Sequence, residues 1–276
     1  MSQKCVEWVK GPRMIRSNQV WAAVAWGLAL GLAAAAVALS WATRRKRALG
    51  SIELASGAAS PRVVYINLDR REDRRRHMQA QLRGSGLSWE RQAAVDGRSV
   101  DLPELVRSGV LTARGAGEVD MPVESKTFGI TLTRGAVGCA LSHLEAWKRA
   151  ESAPGVTIVL EDDVELRDMD RVSERLRDVP AGWDVVYLGS GQYVKGEPRG
   201  EAEARAARRG VHPVSHAYQF IGYAVNPRSA RLMRGVFPLS VQVDGALQNM
   251  HLRKYILEPN HVIPRRDLIS DIQIID

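Results

Sequence analysis

The sequence predicts an α/β fold, a sheet with crossover helices behind one membrane-spanning helix, and three observations lead there. From about Pro61 onward, short runs rich in Val and Ile alternate with helix-like segments, the pattern of a sheet whose strands are joined by helices. Several of those segments carry start and stop signals. Ahead of them lies an uncharged stretch, residues 20–43, dominated by Ala, Leu, Val and Trp.

That stretch is long enough, at helical rise, for a hydrocarbon core of roughly 30 Å. A cleaved signal peptide is the competing reading. The stretch is too long for one, and Arg44-Arg45-Lys46-Arg47 follows where a small-residue cleavage site belongs. Trp21, Trp26 and Trp41 suit interfacial or lipid-facing positions. Lys4, Lys10, Arg13 and Arg16 on one side balance the basic quartet on the other, so charge leaves the orientation open. Residues 48–60 are small, lack an apolar period and read as a stem. The expected organisation is a basic tail at 1–18, a transmembrane helix at 19–43, a basic flank and stem at 44–60, and a sheet domain at 61–276.

Within that domain the strands fall at 63–68, 157–160, 184–188 and 218–225. After the first, Asp69 and Glu72 have capping-box spacing, Met78 and Leu82 share a helix face, and Gly84 and Gly86 supply a stop. A second helix over 138–150 has Leu141, Leu144 and Trp147 or Lys148 at helical spacing and carries Ser142 and His143. A third runs from the cap and proline at Asn226-Pro227 to Gly235. Residues 195–210 hold no large apolar side chain and form a surface insertion, where Glu201 and Arg205 support a short exposed helix; a catalytic lid is the alternative.

The formal net charge of +8 suits an anionic partner, yet the cations cluster at 4–16, 44–47 and 70–76. Aromatic residues are not interleaved with them, which argues against nucleic acid, and anionic lipid is the simpler partner beside a membrane span. The two cysteines, Cys5 and Cys139, lie either side of that span. They offer neither a disulfide framework nor a thiolate-rich metal site, and Cys139 reads as a small buried packing residue.

The chemistry concentrates in Glu161-Asp162-Asp163, directly after the apolar run at 157–160. In open α/β sheets ligands gather beyond the carboxyl ends of strands. Adjacent carboxylates repel, so a cation or hydrogen-bond donors must compensate, unless the trio is an acidic turn in water. Hard oxygen ligands suit Mg²⁺ or Mn²⁺. Ser142 and His143 invite a hydrolase reading, but no Gly-x-Ser-x-Gly elbow surrounds Ser142. His143 has a hydrogen-bonded core role as its alternative, and Asp96-Gly97 has an ordinary turn. A metal-dependent phosphoesterase would need a second close cluster of acids or histidines, which the sequence lacks.

Gly138-Cys139-Ala140-Leu141-Ser142-His143, then Trp147 and the strand into Glu161-Asp162-Asp163, resembles the signature of glycosyltransferase family 25, the lipooligosaccharide and collagen galactosyltransferases. Val64-Tyr65-Ile66-Asn67-Leu68-Asp69-Arg70 with Arg74, Ala94-Val95-Asp96-Gly97, Val243-Asp244 and Ser270-Asp271-Ile272 match its pattern in order, so the resemblance covers about 62–272.

The resemblance implies a GT-A-like nucleotide-binding sheet domain with helices on both faces. It implies a UDP-sugar donor, galactose or glucose as the sugar, an acceptor hydroxyl on a glycan, lipooligosaccharide or protein, inversion, and Mn²⁺ or Mg²⁺. It carries Asp163 and Glu161 over as metal ligands and Asp162 as a contact to the ribose or a metal-bound water. Asn67 and Arg70 fall near the nucleotide, with Arg74 either joining them or standing solvated on its helix. Asp96 becomes a uridine or ribose contact, and Ser142 and His143 become donor-site contacts. Asp244 becomes the catalytic base, with a helix cap as its competing role. One of His212, His216, His251 and His261 would complete the metal shell. The apolar-poor 195–210 segment leaves the acceptor open. A catalytically inactive, membrane-tethered binder of the same fold is the rival function. The compartment would be the Golgi or ER, as a type II protein, in a eukaryote, and the inner membrane in a bacterium.

Overall fold

The computed structural model describes residues 60–127, 130–265 and 267. The expected tail, span and stem, and the Ser270-Asp271-Ile272 motif, lie outside the described residues. Among the described residues no helix is long and apolar enough to cross a membrane.

The described strands are β1 (Arg62–Asn67), β2 (Trp89–Ala93), β3 (Thr157–Leu160), β4 (Val164–Leu166), β5 (Val185–Gly189), β6 (Gln192–Lys195), β7 (Val211–Tyr218), β8 (Gly222–Val225), β9 (Lys254–Leu257) and β10 (Val262–Pro264). The helices are α1 (Glu72–Arg83), α2 (Leu102–Arg107), α3 (Ala113–Val119), α4 (Arg134–Glu151), α5 (Val172–Arg177), α6 (Glu201–Arg208), α7 (Pro227–Met233) and α8 (Val243–Gln248). Eight strands form one mixed sheet in the order β2-β1-β3-β8-β5-β9-β7-β6, and β10 pairs with β4 beside it. Within the large sheet β8 and β7 run against the rest.

Helices cover both faces, as expected of an α/β fold. Val63, Tyr65, Ile158, Leu160, Val186 and Leu188 pack with Met78 and Leu82 of α1 and Val172 and Leu176 of α5. Ile66, Val159, Val185, Tyr187 and Tyr223 point the other way, toward Ala140, Ala146 and Trp147 of α4 and Ala230 and Met233 of α7. All four residues of β3 are buried, which is why that strand reads as a continuous apolar run rather than an alternating one.

Local expectations held unevenly. The strand at 157–160 is β3, and Asn226 caps α7 through the Ser229 N–H, with Pro227 at the first helical position. The exposed helix expected around Glu201 and Arg205 is α6. The capping box at Asp69 and Glu72 did not form: Arg71 occupies the cap position with no side-chain cap bond, because the Asp69 carboxylate is drawn to Arg91 of β2. Helix α4 starts four residues earlier than the sequence reading placed it, at Arg134, where Thr133 accepts the Ala136 N–H at 3.0 Å. Its buried face runs through Ala136, Ala140, His143, Trp147 and Ala150, while Leu141 and Leu144 flank it half-buried. The expected strand 218–225 divides into β7 and β8 at Gln219, whose φ of 65° breaks the extended path.

Two glycines let α4 press against the loop after β2. A Cβ on Gly97 would lie 1.9 Å from the Arg134 carbonyl oxygen, and one on Gly138 would lie 2.6 Å from the Val95 oxygen and 2.7 Å from the Gly97 nitrogen. Backbone on backbone at those distances leaves no flexible neighbour to give way. Gly138→Ala is therefore expected to lower unfolding stability by about 1–3 kcal/mol, the usual cost of overpacking. Urea midpoints of the two proteins check this, and an unchanged midpoint contradicts the close approach.

Candidate functional site

Parallel strands β1 and β3 are adjacent, with Tyr65 opposite Leu160. That register delivers the residues two positions further on, Asn67 and Asp162, to the same edge, where Asn67 Nδ2 donates to Asp162 Oδ2 at 2.6 Å. A cavity of about 380 Å³ opens at this edge, beyond the carboxyl ends of the strands as expected for an α/β sheet. It is lined by Asn67, Arg70, Asp96, Ser142, His143, Glu161, Asp162 and Asp163. Those are all the sequence-predicted site residues except Asp244.

Asp162 is fully engaged. Arg74 of α1, only 4% exposed, donates from Nη1 to Asp162 Oδ1 at 2.9 Å and stands 3.5 Å from Asp163 Oδ2. The solvated alternative for Arg74 is thereby excluded. Asn67 is gripped in turn by Arg91, which donates to its Oδ1 at 2.9 Å and its backbone oxygen at 3.0 Å. Both Asp162 oxygens thus point at protein donors, which leaves Glu161 and Asp163 as the carboxylates open to another cation. Deleting one partner of such a buried pair strands the other charge, at a cost of about 3–5 kcal/mol.

Burial, together with the nearby charges of Asp162 and Asp244, pushes the Glu161 carboxyl up to about 8. Burial and the charge of Glu161 push Asp163 up to about 7. Two half-buried acids that hold their protons into the neutral range are only partly compensated by Arg74, and hard oxygens of this kind suit Mn²⁺ or Mg²⁺. The donor set therefore fits the expected ion through Glu161 and Asp163, and does not fit it through Asp162.

His143 is 1% exposed, with Nδ1 2.8 Å from the Tyr223 hydroxyl and Nε2 3.2 Å from Glu161 Oε1. Trp147 Nε1 donates to the same hydroxyl at 2.8 Å. Burial holds the imidazole down at about 4, so it is neutral at physiological pH. The Cys139 thiol touches Glu161 Oε1 at 3.7 Å, and burial pushes its pKa up. Ser142 donates from Oγ to the Gly138 oxygen at 2.7 Å and accepts the Val95 N–H at 2.8 Å. Its hydroxyl ties α4 to the loop at 94–97, which rules out a nucleophile.

Asp96 caps the turn Gly97–Ser99, accepting from the Arg98 N–H at 3.0 Å and from Arg70 Nε at 3.2 Å. Against the upward pull of burial, those bonds hold its carboxyl below the ordinary range. The turn reading of Asp96-Gly97 is thus correct, and the same turn carries Asp96 into the cavity wall.

Asp244 is not a helix cap. Gln242 holds that position, and Asp244 lies in the first turn of α8. Its carboxylate accepts the Gly245 N–H at 2.8 Å and the Gln219 N–H at 3.0 Å, so it secures the left-handed turn between β7 and β8. The structure does not bring His212, His216, His251 or His261 to the cavity. His212 faces Glu258 at 3.3 Å, and His261 Nδ1 lies 3.0 Å from the Arg167 oxygen. The imidazole beside the acids is His143. Sequence reasoning missed Arg91, Tyr223 and the bidentate pair of Arg134 with Asp120 at the cavity wall, at 2.8 Å for both bonds. The strand Trp89–Ala93 is too polar to show a period, so nothing marked Arg91 in advance.

Residues 61–195 match the family model described as glycosyltransferase family 25 (LPS biosynthesis protein). Over that segment the chain is similar to glycosyltransferase family 25. Procollagen galactosyltransferase 1-B of Xenopus laevis is 29% identical over 214 residues, which cover 75% of this chain and 33% of the relative. Procollagen galactosyltransferase 2 of Mus musculus is 28% identical over 216 residues, 75% of this chain and 33% of the relative. The inactive glycosyltransferase 25 family member 3 of Homo sapiens is 31% identical over 185 residues, 64% of this chain and 29% of the relative. The chain thus spans about a third of the length of these relatives. The matched family 25 segment contains every cavity residue named above and ends before Asp244.

The raised carboxyls predict how stability varies with pH in chelator-treated protein. Folded Glu161 and Asp163 keep protons that the unfolded chain, with ordinary values of 4.5 and 3.8, has already lost. Their contribution is therefore present at low pH and lost as pH rises toward 8. His143 acts oppositely, gaining stability between about 4 and its ordinary 6.5. Above pH 6.5 the carboxyls dominate these three groups, so the urea midpoint should fall between pH 6.5 and 8, and fall less in Glu161→Gln. A midpoint that rises over that window contradicts the assignment.

Proposed function

We propose that the chain transfers a hexose, galactose before glucose, from a UDP-sugar to a hydroxyl of a glycan, a lipooligosaccharide or a protein, with inversion. In this reading the sheet domain is of GT-A type and the stretch 20–43 tethers it to a membrane. One observation carries the proposal: a single cavity pairs Glu161 and Asp163 with the cationic side chains of Arg70, Arg74, Lys126 and Arg134. Such a wall meets both a divalent cation and the diphosphate that the cation accompanies. The likeness to the family model over residues 61–195 supports it, and the galactosyltransferases among the relatives make galactose the first sugar to try.

Glu161 and Asp163 would hold Mn²⁺ or Mg²⁺, whose positive charge there offsets the charge that a departing nucleoside diphosphate gains. The remaining work falls to the chain itself. Arg74 cancels the charge of Asp162 and fixes its orientation, so that Asp163, which Arg74 approaches only at 3.5 Å, is the more available of the two aspartates lining the cavity. Asn67 and Arg70, at the end of β1 and just past it, approach the nucleotide from the same cavity that Ser142 and His143 line, and Asp96 offers a carboxylate to a ribose hydroxyl. Asp244 takes the proton of the acceptor hydroxyl in a single in-line displacement.

A binder without turnover is the second reading. The commitment of both Asp162 oxygens to protein donors and the likeness to an inactive family member favour it.

Full-length protein in detergent, supplied with UDP-hexoses with and without Mn²⁺, separates the two. Transfer predicts UDP release from UDP-galactose that requires Mn²⁺ and disappears in Asp163→Asn. Tight UDP-galactose binding with no release, whatever the acceptor, establishes the binder instead. Asp244→Asn refines the outcome: a base predicts a loss of about 10²–10⁴ in kcat. An anchor for the Gln219 turn predicts almost none, since the amide oxygen still accepts the Gln219 N–H.

A further inference from the structure

Cys139 has no task in that mechanism, yet it lines the cavity and touches Glu161. Cys139 and His143 are one helical turn apart on α4 and so share a face. The end of β3 brings Glu161 against both. One ligand atom from each of the three lies within 4.8 Å of the others. Oε1 of Glu161 is 3.7 Å from the Cys139 sulfur and 3.2 Å from His143 Nε2. Tetrahedral zinc with ordinary bond lengths needs ligand atoms roughly 3.4–3.6 Å apart.

We propose that Cys139, His143 and Glu161 form a second, softer metal site that takes Zn²⁺, with its fourth position open to the cavity. Sulfur, imidazole and carboxylate are the donors of zinc sites, and three protein ligands with one open position is a common zinc arrangement. The imidazole is already braced for ligation. With its proton on Nδ1 it donates to the Tyr223 oxygen, whose other lone pair receives Trp147 Nε1–H, and Nε2 then presents its lone pair to the metal. The thiol binds as thiolate and its proton leaves to solvent through the cavity.

Zinc stands above manganese in intrinsic affinity for such ligands. Because Glu161 belongs to both donor sets, zinc at this site removes a carboxylate from the hard-ion site. Inhibition of transfer by zinc follows, a consequence that rests on the proposed transferase activity.

The test uses the full chain with Cys5→Ser, which leaves Cys139 as the single thiol. Titration with Co²⁺ as a zinc surrogate is expected to give a near-ultraviolet thiolate-to-cobalt band that saturates at one equivalent and is abolished by Zn²⁺. The band should vanish in Cys139→Ser. In Tyr223→Phe the Co²⁺ affinity should fall about 10–100-fold, as outer-shell changes do. A second measurement needs no substitution in the site: Zn²⁺ should protect Cys139 from iodoacetamide, and a chelator should restore its reactivity. No thiolate band together with unprotected alkylation overturns the site. A protein that gives the band and the protection but never releases UDP keeps the zinc site and removes the transferase reading instead.

Discussion

Three consecutive carboxylates at the end of a fully buried strand repel one another, and the guanidinium of Arg74 is what allows them to stay there. It reaches from α1 across the end of the sheet to Asp162 and stands close to Asp163, while Asn67 donates to the remaining Asp162 oxygen. A buried ion pair is tolerable only when its other hydrogen-bonding positions are filled. On the Asp162 side they are, through Asn67, which Arg91 holds in turn. The arrangement sorts the acids into two classes. Asp162 is a structural counter-ion, whereas Glu161 and Asp163 are the less compensated acids, the ones the proposed cation would use.

The rest of the fold serves this edge. Parallel pairing of β1 with β2 and β3 sends three chain segments to one end of the sheet. Gly97 and Gly138 let the loop after β2 lie directly on α4, and Ser142 stitches the two with both halves of its hydroxyl. On the other side, Asp244 and Gln248 of α8 hold the end of β7. Asp244 accepts the Gln219 N–H, and the Gln248 amide pairs with the N–H and oxygen of Ala217. The turn that follows places the Ile221 oxygen to accept the Glu161 N–H at 3.0 Å and sets the Phe220 ring edge-on to His143. Residues remote in sequence therefore converge on Glu161 from both sides.

How legible this was depended on the kind of signal each residue carries. The strand β3 announces itself because burial on both faces demands an unbroken apolar run, and the acids that end it break that run abruptly. Asn226-Pro227 was readable because cap chemistry is local. What failed was whatever tertiary contacts decided. Asp69 had the spacing of a cap, but Arg91, more than twenty residues on, took it. The sequence leaves Arg74 between the nucleotide site and a solvated helix face, and only the fold shows that it is buried. Strand β7 contains Pro213 and alternates weakly, so of its residues only Tyr218 falls within an expected strand, and the Gln219 turn separates it from β8. Four histidines were weighed as metal ligands on residue type, whereas proximity selects His143, which helix position alone left ambiguous.

Anomalous diffraction from crystals of the full chain soaked with Mn²⁺ and UDP reads the division of labour among the three acids directly. The predicted result is a manganese peak within bonding distance of the Glu161 and Asp163 carboxylates, with Asp162 still paired to Arg74 and Asn67. Manganese bound elsewhere, or a soaked crystal in which Glu161 and Asp163 contact only water, would contradict it.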